Sequence, residues 1–445
     1  MIALLSQLIC IIKSTSSMKK NIFTLGVLSL VLLISSTIAV KAETFEYKVG
    51  EDEANENNSI LGIGFEPQLY LNLSGLLDSD TPVSDLSTGE HDPSRDYQVH
   101  PIEFISFFDF SDQLKAEIHA ALLQGTDEDW EQALEQVKVT YSLNDSLSVT
   151  GGQLLNRFGF HNEYCAHAWD FINNHLQNSR FLNEGELMTR GVSFDYKPNS
   201  RWSFNVAAGK ARVHEHDHGH HGHEDHEGEE HHDGHEGEEH HDDHEGEEHH
   251  DGHEGEEHHM DAEGINISDW IASADVRYYL DADQTTLISG SLAVGDNEFG
   301  TKTWLYGVGL QKLWGGHDHG DGLEFCEGSI KVKAEAIGRS AEVKHEDGDS
   351  DDVSDYGFYA TIFYGLDEMT TISARHGYVS ELSELELEER NRTSLAISRN
   401  LSSNVLARLQ YDYNSSDSIE GEHALWLQFK IALGGSVDCH AGCNH

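Results

Sequence analysis

Segments of about ten residues in which every second side chain is apolar recur along this chain, and that rhythm restricts the fold more than any other feature. Leu425, Leu427, Phe429, Ile431 and Leu433 share one parity, while Trp426, Gln428 and Lys430 share the other. Leu114, Ala116, Ile118, Ala120 and Leu122 oppose Lys115, Glu117 and His119 in the same way, and Ile330, Val332, Ala334 and Ala336 oppose Lys331, Lys333 and Glu335. Alternate residues of a strand point to opposite faces. Such a segment therefore needs hydrocarbon on one side and water or protein on the other, as a membrane-spanning strand does. Strands are expected to begin near residues 62, 98, 114, 132, 147, 187, 201, 267, 285, 303, 325, 355, 369, 391, 404 and 423. Ten residues at about 3.3 Å each, tilted near 45°, cover roughly 25 Å, the height of an outer-membrane apolar band. The expected fold is all-β, a transmembrane antiparallel β-barrel of about sixteen strands spanning 62–434. A secreted sandwich or solenoid with polar inner faces is the alternative.

The leader agrees with export. Met18, Lys19 and Lys20 open a basic stretch, an apolar run follows from Ile22 to Ile34, and small residues precede a cleavage point between Ala42 and Glu43. Residues 1–42 thus read as a signal peptide whose true start is Met18, and 43–61 as a short periplasmic segment. Beyond the leader no apolar run reaches the length of a spanning helix, about 18 residues. Turn lengths alternate. Ser111 to Gln113, Asn144 to Ser146, Pro198 to Ser200, Asp281 to Gln284, Asp367 with Glu368, and Ser402 with Ser403 are short, Gly315 to Gly322 is compact, and the intervening connections are long or acidic. Barrels of this kind keep short turns in the periplasm and long loops outside.

The fourth long connection contains only His, Glu, Asp and Gly between His214 and His259, with the unit HEGEEHHDG nearly repeated. Its imidazoles are His214, His216, His218, His220, His221, His223, His226, His231, His232, His235, His240, His241, His244, His249, His250, His253, His258 and His259. Imidazole suits Zn2+, Cu2+ and Ni2+, and carboxylates complete a shell. With nothing apolar in it, the external loop 214–264 is expected to be disordered without metal. A solvated charge run is the plain alternative, but that would require no histidine. The third long connection carries His161, Cys165, His167 and His175, soft and borderline ligands on a loop long enough to enter the lumen; packing as an ordinary constriction loop is the alternative. The tail 435–445 holds Cys439, His440, Cys443 and His445, which suit a tetrahedral Cys2His2 site or a small disulfide. Asp347, Asp349 and Asp351 imitate the start of a calcium loop, yet Asp352 stands where the turn needs Gly.

A formal net charge of −52 argues against nucleic acid and for cations. No serine or cysteine nucleophile sits in a recognisable catalytic motif, so no enzyme is expected. Lys115, Lys138, Lys331, Lys333, Arg408 and Lys430 share the inward parity with Glu117, Glu335 and Asp412, a mixed lumen.

The segment from Gly151 to Gly191, with its stretches GGQLLNRFGFHNEY, AHAWDF and RFLNEGEL, together with the His-rich loop and the closing strand ALWLQFKIALGG, resembles porin-like outer-membrane proteins of Gram-negative bacteria linked to zinc acquisition, similar to the phosphate-selective porin O/P type. The resemblance implicates His161, His167, Trp169 and Asp170, and departs at Cys165, where a His or polar residue is expected. It implies a channel that captures and admits divalent transition-metal ions in the outer membrane, with outer-membrane lipid around it; a periplasmic metal-binding protein and a homo-trimer are compatible partners. A general or anion-selective porin with a metal-buffering tract, and a surface metal store or adhesin with a closed lumen, are the rivals. A plugged receptor would need on the order of a hundred further residues and a 22-stranded barrel, more than this chain offers.

Overall fold

The computed structural model describes residues 59–60, 63–89, 91–124, 130–213, 262–318, 323–324, 326–344, 350–416 and 421–435. The leader, most of the 43–61 segment, the tract from His214 to His259, and Cys439, His440, Cys443 and His445 lie outside the described residues.

Sixteen long strands follow one another around a single closed ring: β1 Ile63–Ser79, β2 Tyr97–Asp109, β3 Leu114–Gln124, β4 Trp130–Asn144, β5 Leu147–Leu155, β6 Met188–Asn199, β7 Trp202–Ala211, β8 Trp270–Tyr279, β9 Thr286–Asp296, β10 Lys302–Trp314, β11 Ile330–Lys344, β12 Ser350–Asp367, β13 Thr370–Val379, β14 Arg390–Ser402, β15 Val405–Ser416 and β16 Glu422–Leu433. Each pairs antiparallel with its neighbours, and β16 closes on β1 through Ala424↔Ser79 to Leu433↔Leu69. A two-residue piece, Ser59–Ile60, folds back on Ile63 and Gly64. The sixteen expected strands are all present. The largest displacements are β11 and β12, which start at Ile330 and Ser350 where 325 and 355 are expected. At β11 the turn Cys326–Ser329, with Gly328 at φ +76°, occupies the first residues. At β12 the acidic start Ser350 to Asp352 pairs with Glu342 to Lys344 and simply lengthens the hairpin. Of the loop expected to be unstructured from 214 to 264, the last residues fold: Ala262–Ile265 is a 3-10 turn, and Ile265 is buried against Ala341, Val353 and Leu382.

Alternation sets the two faces. In β12, Val353, Asp355, Tyr359, Thr361 and Phe363 are buried inside, and Tyr356, Phe358, Ile362, Tyr364 and Leu366 are exposed outside. Around the ring the exposed aromatic residues gather at both rims. Tyr141, Tyr196, Trp202, Trp314 and Tyr364 lie at the short-turn end, and Trp270, Trp304, Tyr356, Tyr411 and Tyr413 at the other. Between them lie Val206, Leu292, Val308, Leu310 and Leu395, so the outer surface is an apolar belt with two aromatic girdles, which matches a bilayer. No described helix is long and apolar enough to cross a membrane, a criterion that does not bear on strands.

The packed core lies inside the barrel. Phe158, Leu176, Phe181, Leu182 and Leu187, all from the connection between β5 and β6, interlock with Ile271, Ala293, Leu305, Ile337 and Val379 of the wall. Burial of each larger side chain contributes roughly 1.5–3 kcal/mol toward holding that connection in the lumen, and its polar contacts to the wall add to it.

The belt yields a stability test. Val308 is mid-strand in β10 and 64 % exposed, so Val308→Arg should cost about 2–4 kcal/mol of folding in lipid vesicles by urea titration, while Lys210→Gln at the rim stays within about 0.5 kcal/mol. Equal effects would contradict the membrane assignment of this face.

Candidate metal centre in the lumen

The connection 156–187 leaves the end that carries the long connections and turns inward, held by polar groups of the wall on every side. Asn156 Nδ2 donates to Ser273 Oγ at 2.8 Å, Arg157 Nε pairs with Asp275 at 2.7 Å, and the Gly159 amide donates to Ser291 Oγ at 3.0 Å. Opposite, the wall is the donor: Arg375 reaches the carbonyls of Asn173 and Asn174 at 2.9 and 3.1 Å, and Lys430 those of His167 and Trp169 at 2.8 and 2.7 Å. Lys333 pairs with Asp170 at 3.0 Å, and Arg408 donates to the Trp169 carbonyl at 3.2 Å. Two glycines make the fit. Gly159 has φ +69° and its absent Cβ would lie 2.4 Å from the Glu335 carboxylate; at Gly309 a Cβ would meet the Phe160 ring at 2.4 Å. Within this segment α1, Leu176–Phe181, turns the chain back toward β6.

This docking brings Cys165 and His167 against β2, β3 and β4. Ligand atoms of Glu103, Cys165 and His167 lie within 4.8 Å of one another, as do those of His119, Glu135 and Cys165, and all five residues are buried. Cys165 Sγ is 3.2 Å from His119 Nδ1 and accepts from Gln136 Nε2 at 3.3 Å. His167 Nδ1 is 3.1 Å from Glu103 Oε1, and its ring stacks on Tyr70 with centroids 4.1 Å apart. The other nitrogen of His119 bonds to Glu117, which Lys138 holds at 2.9 Å, so a carboxylate orients the imidazole with Nδ1 toward the thiol. Glu103 Oε2 is buried with no hydrogen-bond partner among the described residues. Buried carboxylate oxygens are seldom left so, and a cation would satisfy this one. A thiol, two imidazoles and two carboxylates form the mixed sulfur, nitrogen and oxygen set that Zn2+ takes, whereas Ca2+ and Mg2+ take oxygen alone.

A bulge builds the site. His119 pairs with Gln136 and Ala120 with Leu134, leaving Glu135 as an extra residue in β4. Two successive polar side chains, Glu135 and Gln136, therefore both point inward, where strict alternation would send one into lipid.

The other two histidines of the loop go elsewhere. His161 and His175 meet edge to face with ring centroids 4.4 Å apart; His175 stacks on Tyr359 at 3.7 Å and His161 packs on Trp169 at 5.3 Å. Burial pushes the His161 imidazole down to about 3, with the Lys333 ammonium adding to the effect, and burial next to His161 and Arg375 holds His175 well below the usual range. Both are neutral docking residues on the basic side of the lumen. Of the inward charges expected from parity, Lys333, Arg408, Lys430, Glu117, Glu335 and Asp412 are buried or nearly so, whereas Lys115 sits at the open rim beside Asp109 at 3.4 Å.

Glu103, Glu135 and His91 were not legible as ligands from the sequence. Glu103 carries a usable signal, a lone charge inside PIEFISFF that must face inward. His91, in the connection after β1, is found only by tertiary contact: its Nε2 lies 3.5 Å from both Glu135 and Glu186.

No protein-family model matches this chain, and no curated protein is similar to it in sequence. Among solved structures it is similar to the outer-membrane channel DcaP of Acinetobacter baumannii, at 10% identity and TM-score 0.51, covering 83% of this chain and 97% of that one. It is also similar to an anion-selective porin from Comamonas acidovorans, at 9% identity and TM-score 0.48 over 83% and 100% of the two chains, and to OprB of Pseudomonas putida, at 9% and 0.42 over 83% and 94%. The fold is that of outer-membrane porins.

The neutral histidine pair sets a pH dependence. An undocked loop takes protons as pH falls below about 6.5, the ordinary imidazole value, while docked His161 refuses one until about 3, so docking is complete above that window and weakens downward through it. The urea midpoint of the wild type should fall between about pH 7 and pH 4, and the double variant His161→Phe, His175→Phe should fall less. Parallel curves would contradict the assignment.

Proposed function

We propose that this protein is an outer-membrane, porin-like channel that captures divalent transition-metal ions, zinc first among them, and admits them through its barrel. The observation that carries the reading is the buried Cys165 cluster, in which a loop thiol meets imidazole and carboxylate ligands of the wall in mid-barrel. The belt and girdles support a bilayer around it, and by the length rule for such barrels the end bearing the 156–187 connection faces outward. The connection from β7 to β8 leaves the same end, so the His tract 214–259 is external in this reading and concentrates metal at the mouth. Zn2+ is the expected cargo, and Cu2+ and Ni2+ share the ligand preference.

One observation favours the rival anion-selective reading: Lys331, Lys333, Arg375, Arg408 and Lys430 line the wall from β11 to β16. Rings of basic side chains do favour anions. Here Arg375, Arg408 and Lys430 direct donors at loop carbonyls and Lys333 is paired with Asp170, so these cations serve as struts for the loop.

The reversal potential of the purified channel in a planar bilayer under a zinc chloride gradient separates the readings. It should lie on the zinc side, and deletion of 214–259 should leave folding intact while removing most of the bound zinc. A potential on the chloride side would replace the proposal with the anion-selective reading, and absence of current with a closed metal store.

A further inference from the structure

The Cys165 cluster is one stage of a longer arrangement. Above it, toward the long-connection end, His91 Nε2 lies 3.5 Å from Glu186 Oε1 and 3.5 Å from Glu135 Oε1. Glu135 in turn belongs to the set with His119 and Cys165, and Cys165 belongs to the set with Glu103 and His167. His119 is hydrogen-bonded to Glu117, two residues nearer the short-turn end of β3 and partly open to solvent. The two ligand sets thus share Cys165, and Glu135 links one of them to His91, which in turn contacts Glu186. His91 and Glu186 sit in connections at the long-connection end, His119 is the middle residue of the eleven in β3, and Glu117 faces the other half of the barrel. These groups line the wall of β2, β3 and β4, and the basic struts stand on β11, β13, β15 and β16, the last of which only β1 separates from β2.

From this overlap we infer that transition-metal ions cross the barrel off its axis, along the β2–β4 wall, by ligand exchange through His91/Glu186/Glu135, then Glu135/His119/Cys165 with Glu103/His167 alongside, then Glu117. The inference rests on the function proposed above and specifies its route. A shared ligand lets an ion gain a donor of the next set before it loses the last donor of the previous one, which avoids the cost of a bare ion in a dry interior. Conduction further requires that no single set hold the ion too tightly, and overlapping sets of three mixed ligands meet that condition better than one closed tetrahedral site. Entry is acidic, since Glu186 and Glu135 flank His91. At the exit Lys138 lies 2.9 Å from Glu117 and lowers the affinity of that carboxylate for a cation, which favours release. The soft step is Cys165. Ions that bind thiolate pass this stage, and Mg2+, which keeps its water and its oxygen ligands, does not.

The test uses the full chain in lipid vesicles that enclose a zinc-responsive dye, with stopped-flow mixing of zinc chloride, and heat-modifiable gel mobility to verify folding of each variant. Zinc influx should fall on the order of tenfold or more in His91→Gln, Glu135→Gln and Cys165→Ser, with chloride conductance unchanged, and Lys210→Gln should match the wild type. Cobalt bound to protein carrying Cys439→Ser and Cys443→Ser should show a thiolate-to-metal charge-transfer band that the added Cys165→Ser change removes and the added His91→Gln change keeps. That band distinguishes a lost route from a lost fold. Influx that persists in all three folded variants would overturn the route while leaving the channel assignment standing. A wild type that admits chloride and no zinc would overturn the channel assignment itself.

Discussion

In hydrocarbon an unsatisfied backbone amide or carbonyl costs several kcal/mol, so the ladder joining β16 to β1 is the constraint from which the rest of the structure follows. Once that seam closes, none of the sixteen long strands keeps a free edge and their inward side chains face one enclosed space. The interior must then be either solvated or filled. Here much of it is filled by the protein's own connection 156–187, whose Phe158, Phe181, Leu182 and Leu187 supply apolar packing and whose carbonyls take the donors of Arg375, Arg408 and Lys430.

That filling divides the interior into two chemically different walls. The strands β11 to β16 present cations, and these fix the loop. The strands β2 to β4 present Glu103, Glu117, His119 and Glu135, and against them the loop lays Cys165 and His167. The loop is therefore strut on one side and ligand donor on the other, and the position of the thiol depends on docking contacts as far away as Arg375. Such dependence explains why neutral His161 and His175 matter although they coordinate nothing in this reading: they make up the dry packing between the two walls.

Much of the fold was legible in the chain because a lipid-facing strand cannot disguise its period: Leu425 to Leu433 and Ile330 to Ala336 declare their faces by parity alone. The candidate site was half legible. Cys165 and His167 stood out as soft ligands on a long loop, but so did His161 and His175, and nothing in spacing separates the pair that reaches the acidic wall from the pair that packs on Tyr359. The bulge at Glu135 broke the parity rule at the place where chemistry needed two adjacent inward residues, which is why Glu135 escaped a reading based on alternation. His91 depended on contacts between connections far apart in sequence.

The central claim is that a transition-metal ion in this barrel is held by the Cys165 thiolate together with wall ligands. X-ray absorption at the zinc edge, on folded protein lacking 214–259 and the tail beyond residue 435, tests it most directly, since the other His- and Cys-rich segments that could contribute ligands are then gone. The account expects about one sulfur neighbour near 2.3 Å together with nitrogen and oxygen neighbours near 2.0–2.2 Å, the sulfur shell vanishing in Cys165→Ser. Zinc with nitrogen and oxygen neighbours only, or no retained zinc at all, would contradict it.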